Sequence, residues 1–355
     1  MLWVVDWCRK LMNMEKIDFV LTWVDGDDPK WKAEKQAFEG KELSEGTSDD
    51  SNAECRYRAD ADLLRYWFRA VEQFTPWVNR VLFVTCGQKP EWLNENHPKL
   101  HLVNHKDYIP SNYLPTFNSN AIELNYHRIS DLSEKFVLFN DDIFLLHQVA
   151  PEFFFRDGNP VLDADLRYTT KVGYNNWSRV LFNNYCVVNK SFDIGKSIWE
   201  FRKKWFDVST LGFNRARSNF ICYLANKTLP VGLYGHIALP HLKSSLQELW
   251  MRYPDIMEQT SMHKFRTDDQ VNHWLLCAWN QAKGRFSPAR ENRLGRNVSI
   301  NPNNLKWVCG MIKSQEIPQI CINDTAQNSD PDHCNIELIN AFNSILPYQS
   351  QFEKF

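Results

Sequence analysis

Four short apolar runs, each ending in polar residues and separated by stretches of helical spacing, constrain this chain more than any other feature. The runs are Ile17 to Val24 (IDFVLTWV), Arg80 to Cys86 (RVLFVTC), Leu100 to Asn104 (LHLVN) and Lys135 to Phe139 (KFVLF). Their length and their β-branched and aromatic content predict buried strands. Between the first two, Asp62 to Phe74 places Leu63, Leu64, Trp67, Ala70, Val71 and Phe74 on one helical stripe. Pro90 to Asn94 suits a short helix, and Ser119 to Arg128 a further helix. Strand alternating with helix predicts an α/β fold, a mainly parallel sheet flanked by helices. In such sheets ligands bind outside the carboxyl ends of the strands.

Beyond Pro151 the alternation weakens. Residues 191–230 are aromatic and basic with helical stretches, and residues 244–285 read mainly as helix, with His263 to Asp269 at a helix start. The division expected is an N-terminal segment (1–16), an α/β core (17–150), a mainly helical insertion or subdomain covering the site (151–285) and a C-terminal segment completing the core (286–355). The first residues, MLWVVDWCRKLM, are too short to span a bilayer. They suit an ordinary first helix or strand, or a weak interfacial anchor. Residues 40–55 are polar and rich in Gly, Ser and Asp, as in a mobile surface loop. A formal net charge of −2 gives no overall attraction to nucleic acid, so phosphate-binding charge must be local. Nine scattered cysteines without a C-x-x-C pair argue against a disulfide framework or zinc site and for a reducing, cytoplasmic compartment.

The polar groups with chemical potential stand where the runs end. Asn140-Asp141-Asp142 brings two carboxylates and an amide oxygen to one strand terminus, a donor set suited to Mg²⁺ or Mn²⁺. The same residues also make turns and helix caps. Trp23 and Asp25 offer a stacking face and an acceptor, or else a core indole and a turn. Thr85 and Gly87 close the second run. Arg56 suits bidentate phosphate pairing; Asp60 suits a helix cap. His241, after an apolar stretch, is either a general base or a buried structural histidine. Arg266 is a phosphate clamp or a flanking charge, and Asp324 a metal ligand or a turn residue. Neither a P-loop nor G-x-G-x-x-G is present.

Taken together these segments resemble the Stealth family of sugar-phosphate transferases, which includes bacterial capsular polysaccharide phosphotransferases and the lysosomal-enzyme N-acetylglucosamine phosphotransferase catalytic subunit. The resemblance runs through IDFVLTWVDGDDPKW (17–31), through 56–93 and 104–145 with PTFNSNAIE and the NDD strand end, through 239–270 with LPHLK and HKFRTDDQ, and through CINDT (321–325). The departures are Thr85-Cys86-Gly87-Gln88 where the family often has T-N-G-Q, and Asn118-Ser119-Asn120 where it often has Ser-Ser-Pro. The resemblance implies a glycosyltransferase-like core and transfer of a sugar-1-phosphate from a UDP-sugar, UDP-N-acetylglucosamine or similar, to a hydroxyl of an acceptor glycan. UMP leaves and a phosphodiester forms, in capsular polysaccharide synthesis, with peripheral association at the inner membrane face alongside export machinery.

Carried over by block, Asn140, Asp142, His241 and Arg266 are the expected catalytic residues. Asp142, Asp324 and Asp141 are the expected metal ligands. Trp23, Asp25, Arg56, Asp60, Thr85 and Asn118 are expected on the substrate side. In this scheme Arg266 stabilises the transferred phosphoryl group and His241 takes the acceptor proton. Residue types alone leave two alternatives: a metal-dependent glycosyltransferase that releases UDP, and a non-catalytic glycan-binding protein with an aromatic groove.

Overall fold

The structure, a computed structural model, describes residues 16–42, 52, 57, 61–167, 176–230, 235–290, 294–324 and 328–354. The N-terminal segment, most of the 40–55 loop, Arg56, Arg58 and Asp60 lie outside the described residues.

The first half alternates as its spacing predicts. Strand β1 (Ile17–Thr22) leads to α1 (Pro29–Glu42) and α2 (Ala61–Phe74), then β2 (Arg80–Thr85), β3 (Leu100–Asn104), α3 (His105–Tyr108), α4 (Ser119–Leu124) and β4 (Lys135–Asn140). Two residues later comes β5 (Ile143–Leu145), followed by β6 (Phe155–Arg156) and β7 (Asn159–Asp163). A helical series follows: α5 (Asn176–Ser191), α6 (Ile194–Glu200), α7 (Arg202–Trp205) and α8 (Val208–Ala225). Next come β8 (Leu239–Leu242), α9 (Lys243–Arg252), α10 (Pro254–Met262) and α11 (Trp274–Ala282). The chain ends with β9 (Ser287–Ala289), β10 (Arg296–Ser299), α12 (Leu305–Ser314), β11 (Gln319–Asn323) and α13 (Pro331–Ile345).

The central sheet has the order β3-β2-β1-β4-β8, parallel except for β8. Its strands are near-continuous apolar runs because both faces are covered. Val20, Leu82 and Leu138 point into one core, and Phe19, Phe83, Val137 and Phe139 into the other. The strand order reverses between β1 and β4, so the crevice expected to take a ligand opens beside Thr22 and Asn140, which pair in register. At the opposite end, the buried Asp18 carboxylate accepts from Asn79 (2.6 Å), Arg80 (3.0 Å) and the Ser133 amide (2.8 Å). These bonds hold the starts of β1, β2 and β4 in register.

Four expectations are corrected. Residues 90–94 form no helix, because their backbone serves the C-terminus: Leu93 bridges Glu353, and the Asn94 amide donates to Phe352 (2.8 Å). The helix from Ser119 stops at Leu124, where Asn125 turns its amide back onto Ala121 (2.8 Å), and resumes only as a short 3₁₀ turn. His263 to Asp269 follows the end of α10 instead of opening a helix. The described part of 151–285 is not helical throughout, for β8 is the fifth strand of the central sheet and β7 pairs with β9.

The C-terminus is anchored by a buried pair, Glu353 with Arg69 (2.8 and 2.9 Å, bidentate). Burial raises the Glu353 carboxyl, but the hydrogen bonds from Arg69 and Ser350 outweigh it and hold the group below its ordinary value. A depressed carboxylate contributes stability that is complete above its unfolded-state pKa and is lost as the pH falls through the folded-state value. Glu353→Gln should cost about 3 kcal/mol in urea unfolding at neutral pH. The difference from wild type should shrink in melts run into the acid range below the ordinary glutamate pKa.

Candidate active site

Strand β4 delivers Asn140, Asp141 and Asp142 at the switch point, and the chain then changes sheets. Strand β5 pairs antiparallel with β11, and β11 is parallel to β10. The Ile322 amide donates to the Asp142 carbonyl (2.8 Å), which fixes the backbone of the turn between β4 and β5. The Cys321 thiol donates to Asp142 Oδ2 (3.3 Å), and His236 Nε2 lies 3.6 Å from the same oxygen. Donor atoms of Asp142, His236 and Cys321 all fall within 4.8 Å of one another. His236 is held there from two sides. The Ala238 amide donates to Gln319 Oε1 on β11 (3.0 Å), and the His236 ring lies edge-on to Trp274 (6.3 Å).

Asn140 Oδ1 is buried and accepts no hydrogen bond among the described residues. Burial and the adjacent Asp142 charge push the Asp141 carboxyl up to about 7, against the opposing pull of His236 and Arg266. Arg266 therefore acts electrostatically on the acidic strand end. Its guanidinium donates from Nε and Nη2 to Ser119 Oγ (3.2 and 2.9 Å).

Arg266 is positioned by a polar lattice between two segments the sequence singled out, 115–123 and 263–270. Asn118 is fully buried. Its side chain accepts from the Asn120 amide (3.1 Å) and donates to the His263 carbonyl and to Gln270 Oε1 (both 3.2 Å). Phe117 stacks on Phe265 with ring centroids 5.3 Å apart, and the Phe117 amide donates to the Lys264 carbonyl (2.9 Å). Asn118, expected against substrate, spends its hydrogen bonds joining these segments.

Other expected residues are likewise placed in the scaffold. Trp23 is buried and stacks on Phe83 (5.7 Å). Thr85 donates to the Gln88 carbonyl (2.8 Å) and accepts from the Gly87 amide (3.1 Å), closing a turn whose Gly87 has φ 106°. Gln88 then clamps the Asp25 backbone, accepting from its amide (2.8 Å) and donating to its carbonyl (2.9 Å), while the Asp25 carboxylate accepts from the Asp27 amide (2.9 Å). Asp324 lies one residue past β11 and accepts from Asn328 (3.2 Å); the donors gathered with Asp142 are His236 and Cys321.

The structure does not bring His241 to this end of the sheet. It sits on β8 opposite Phe136, and Phe136 precedes Asn140 by four residues, about 13 Å along an extended strand. Its imidazole is buried, neither ring nitrogen has a hydrogen-bond partner among the described residues, and burial plus nearby His273 hold it neutral far below the ordinary histidine range. His236, five residues earlier, is the histidine at the acidic strand end. The sequence offered a signal for this: His241 lies inside an apolar strand-like run, whereas His236 precedes that run.

Two family models match the chain: Stealth protein CR1, conserved region 1, over residues 15–42, and Stealth protein CR2, conserved region 2, over residues 56–161. The chain is also 38% identical over 345 residues to the capsular polysaccharide phosphotransferase WcwK of Streptococcus pneumoniae, across 96% of this chain and 100% of that one. It belongs to the Stealth family. A second relative, the receptor polysaccharide phosphotransferase WefC of Streptococcus oralis, is 35% identical over 353 residues, across 96% of this chain and 100% of its own. A crystal structure of the galactosyltransferase LgtC aligns over 94% of this chain and 96% of that one at 10% identity; its TM-score, 0.40, marks a distant likeness.

If His236 serves the site and His241 the core, the two substitutions separate cleanly. His236→Ala should lower turnover at least about 100-fold, the usual contribution of a general base. His241→Phe should leave kcat within a few-fold of wild type, measured on folded protein under identical conditions.

Proposed function

We propose that this chain transfers a sugar-1-phosphate from a UDP-sugar to a hydroxyl of an acceptor glycan, releasing UMP, within capsular or related polysaccharide synthesis. The observation that carries the reading is the gathering of Asp142, His236 and the Arg266 field at the carboxyl end of β4, in a Stealth-family chain with polysaccharide phosphotransferases as its relatives.

The acceptor oxygen attacks the sugar-proximal phosphorus. The bond from that phosphorus to the bridging oxygen breaks, and the bridging oxygen leaves with UMP. His236 takes the acceptor proton, and the Asp142 carboxylate 3.6 Å from its Nε2 stabilises the imidazolium that results. Arg266, braced by Ser119, stabilises the negative charge that builds on the transferred phosphoryl oxygens. Cys321 orients Asp142 through its thiol hydrogen bond.

A divalent cation fits here. Asn140 Oδ1, buried without a partner among the described residues, and the Asp142 carboxylate are the oxygen donors that Mg²⁺ or Mn²⁺ takes, whereas the Cys321 thiol is a soft donor that neither prefers. Such an ion supplies charge neutralisation of the diphosphate when bound. Asp324, two residues beyond the Ile322 amide that pins Asp142, would complete the oxygen set only from outside that three-residue cluster.

Incubating the protein with a panel of UDP-sugars, Mn²⁺ and an acceptor oligosaccharide should yield UMP in step with a phosphodiester product. Asp142→Ala should lower that rate about 100-fold or more, and chelation should abolish it. Release of UDP instead would assign the chain to ordinary glycosyl transfer, and unchanged turnover in Asp142→Ala would remove the site from this strand end.

A further inference from the structure

Helix α8 presents an apolar arc to water. It is kinked at Gly212 (φ 74°), whose added Cβ would strike the Arg290 guanidinium, and runs regularly beyond it. On the following turns Phe213, Arg217, Phe220, Ile221 and Leu224 fall within about 100° of one another at 100° per residue. Phe213 is 66% exposed and Leu224 63%; Phe220 and Ile221 are exposed as well. The helix docks through its other face, where buried Asn219 donates to the Ala164 (2.9 Å) and Trp205 (2.8 Å) carbonyls and accepts from the Leu166 amide (3.0 Å). A surface helix ordinarily does the reverse, burying its large apolar residues and exposing polar ones.

Aromatic rings extend this arc. Exposed Trp199 on α6 stacks on Tyr223 (5.9 Å), and Phe206 meets Phe220 edge-on (5.5 Å). Arg202 lies 5.3 Å over the Trp199 ring. Among the described residues from Lys190 to Lys227, the exposed charges are mostly cations: Lys190, Lys196, Arg202, Lys203, Arg217 and Lys227, against exposed Asp193 and Glu200 and the half-buried helix cap Asp207, in a chain whose formal net charge is −2.

From this juxtaposition we propose that the α6–α8 face docks on an anionic phospholipid surface, with the Phe213–Leu224 arc entering the headgroup boundary and the surrounding cations pairing with lipid phosphates. Apolar and aromatic residues flanked by lysine and arginine are the combination that lies in a bilayer interface. Negative lipid adds attraction for each nearby cation. A second copy of the chain fits less well, because a two-fold contact would set this cationic face against itself. The arc holds none of the side chains assigned to the reaction proposed above, so docking and turnover are separable.

The test is flotation of the full chain with vesicles of phosphatidylcholine alone and of phosphatidylcholine mixed equally with phosphatidylglycerol. Wild type should float with the anionic vesicles, with far less on the neutral ones, and should be released by high salt. The triple change Phe213→Ser, Phe220→Ser and Leu224→Ser should weaken partitioning at least about tenfold, and Lys203→Glu with Arg217→Glu should remove the preference for anionic lipid. Both variants should retain the wild-type melting temperature and turnover on a soluble acceptor. No flotation, or flotation that neither variant changes (as when residues 1–12 alone hold the bilayer), overturns the proposal. So does a dimer in sedimentation equilibrium that the triple change dissolves, which would make the arc a contact between copies.

Discussion

The hydrogen bond from the Ile322 amide to the Asp142 carbonyl is the constraint on which the rest of this site depends. A parallel strand normally ends in a loop whose residues are free to wander. Here β4 ends, two residues turn, and the chain is at once captured by a second sheet through β5 and β11. The acidic pair is thereby held between two sheets instead of on a loop, the rigidity that placing a reacting group requires. The same seam brings Cys321 against the Asp142 carboxylate and, through Gln319, the strand-leading residues that carry His236.

The charge arrangement follows from that placement. Two adjacent carboxylates half-removed from water repel one another, and the response is visible at Asp141, pushed to about 7. His236 and Arg266 oppose the shift without abolishing it. A site left with surplus negative potential suits a cation or a phosphate accompanied by one, and an overall charge near neutrality permits this because the surplus is local.

Much of the scaffold was legible because it rests on periodicity. The buried strands have both faces covered, so they read as apolar runs, and α2 reads as a stripe. The strand-end triplet was legible for the same reason, since polar residues that stop such a run mark its exposed terminus. What could not be read was partnership across the chain. Residues 92–94 lost their helix to a C-terminal segment more than 250 positions away. Asn118 looked like a ligand because it is polar within a distinctive motif, yet its amide joins 115–123 to 263–270. His241 drew notice on motif alone, although an imidazole in mid-strand of a covered sheet is surrounded by core, and His236 carried no motif of its own. Cys321 carried no local signal; its meaning comes from the antiparallel pairing of β11 with β5, which no short window contains.

The proposed reaction is defined by attack on phosphorus and not on the anomeric carbon. The most direct measurement uses a UDP-sugar labelled with ¹⁸O at the oxygen joining the sugar to phosphorus, with the label followed by its isotope shift in ³¹P spectra. Retention of the label between the sugar and phosphorus in the acceptor phosphodiester, with unlabelled UMP released, is the predicted result. Label found in released UDP would show that the sugar–oxygen bond breaks and would contradict the account.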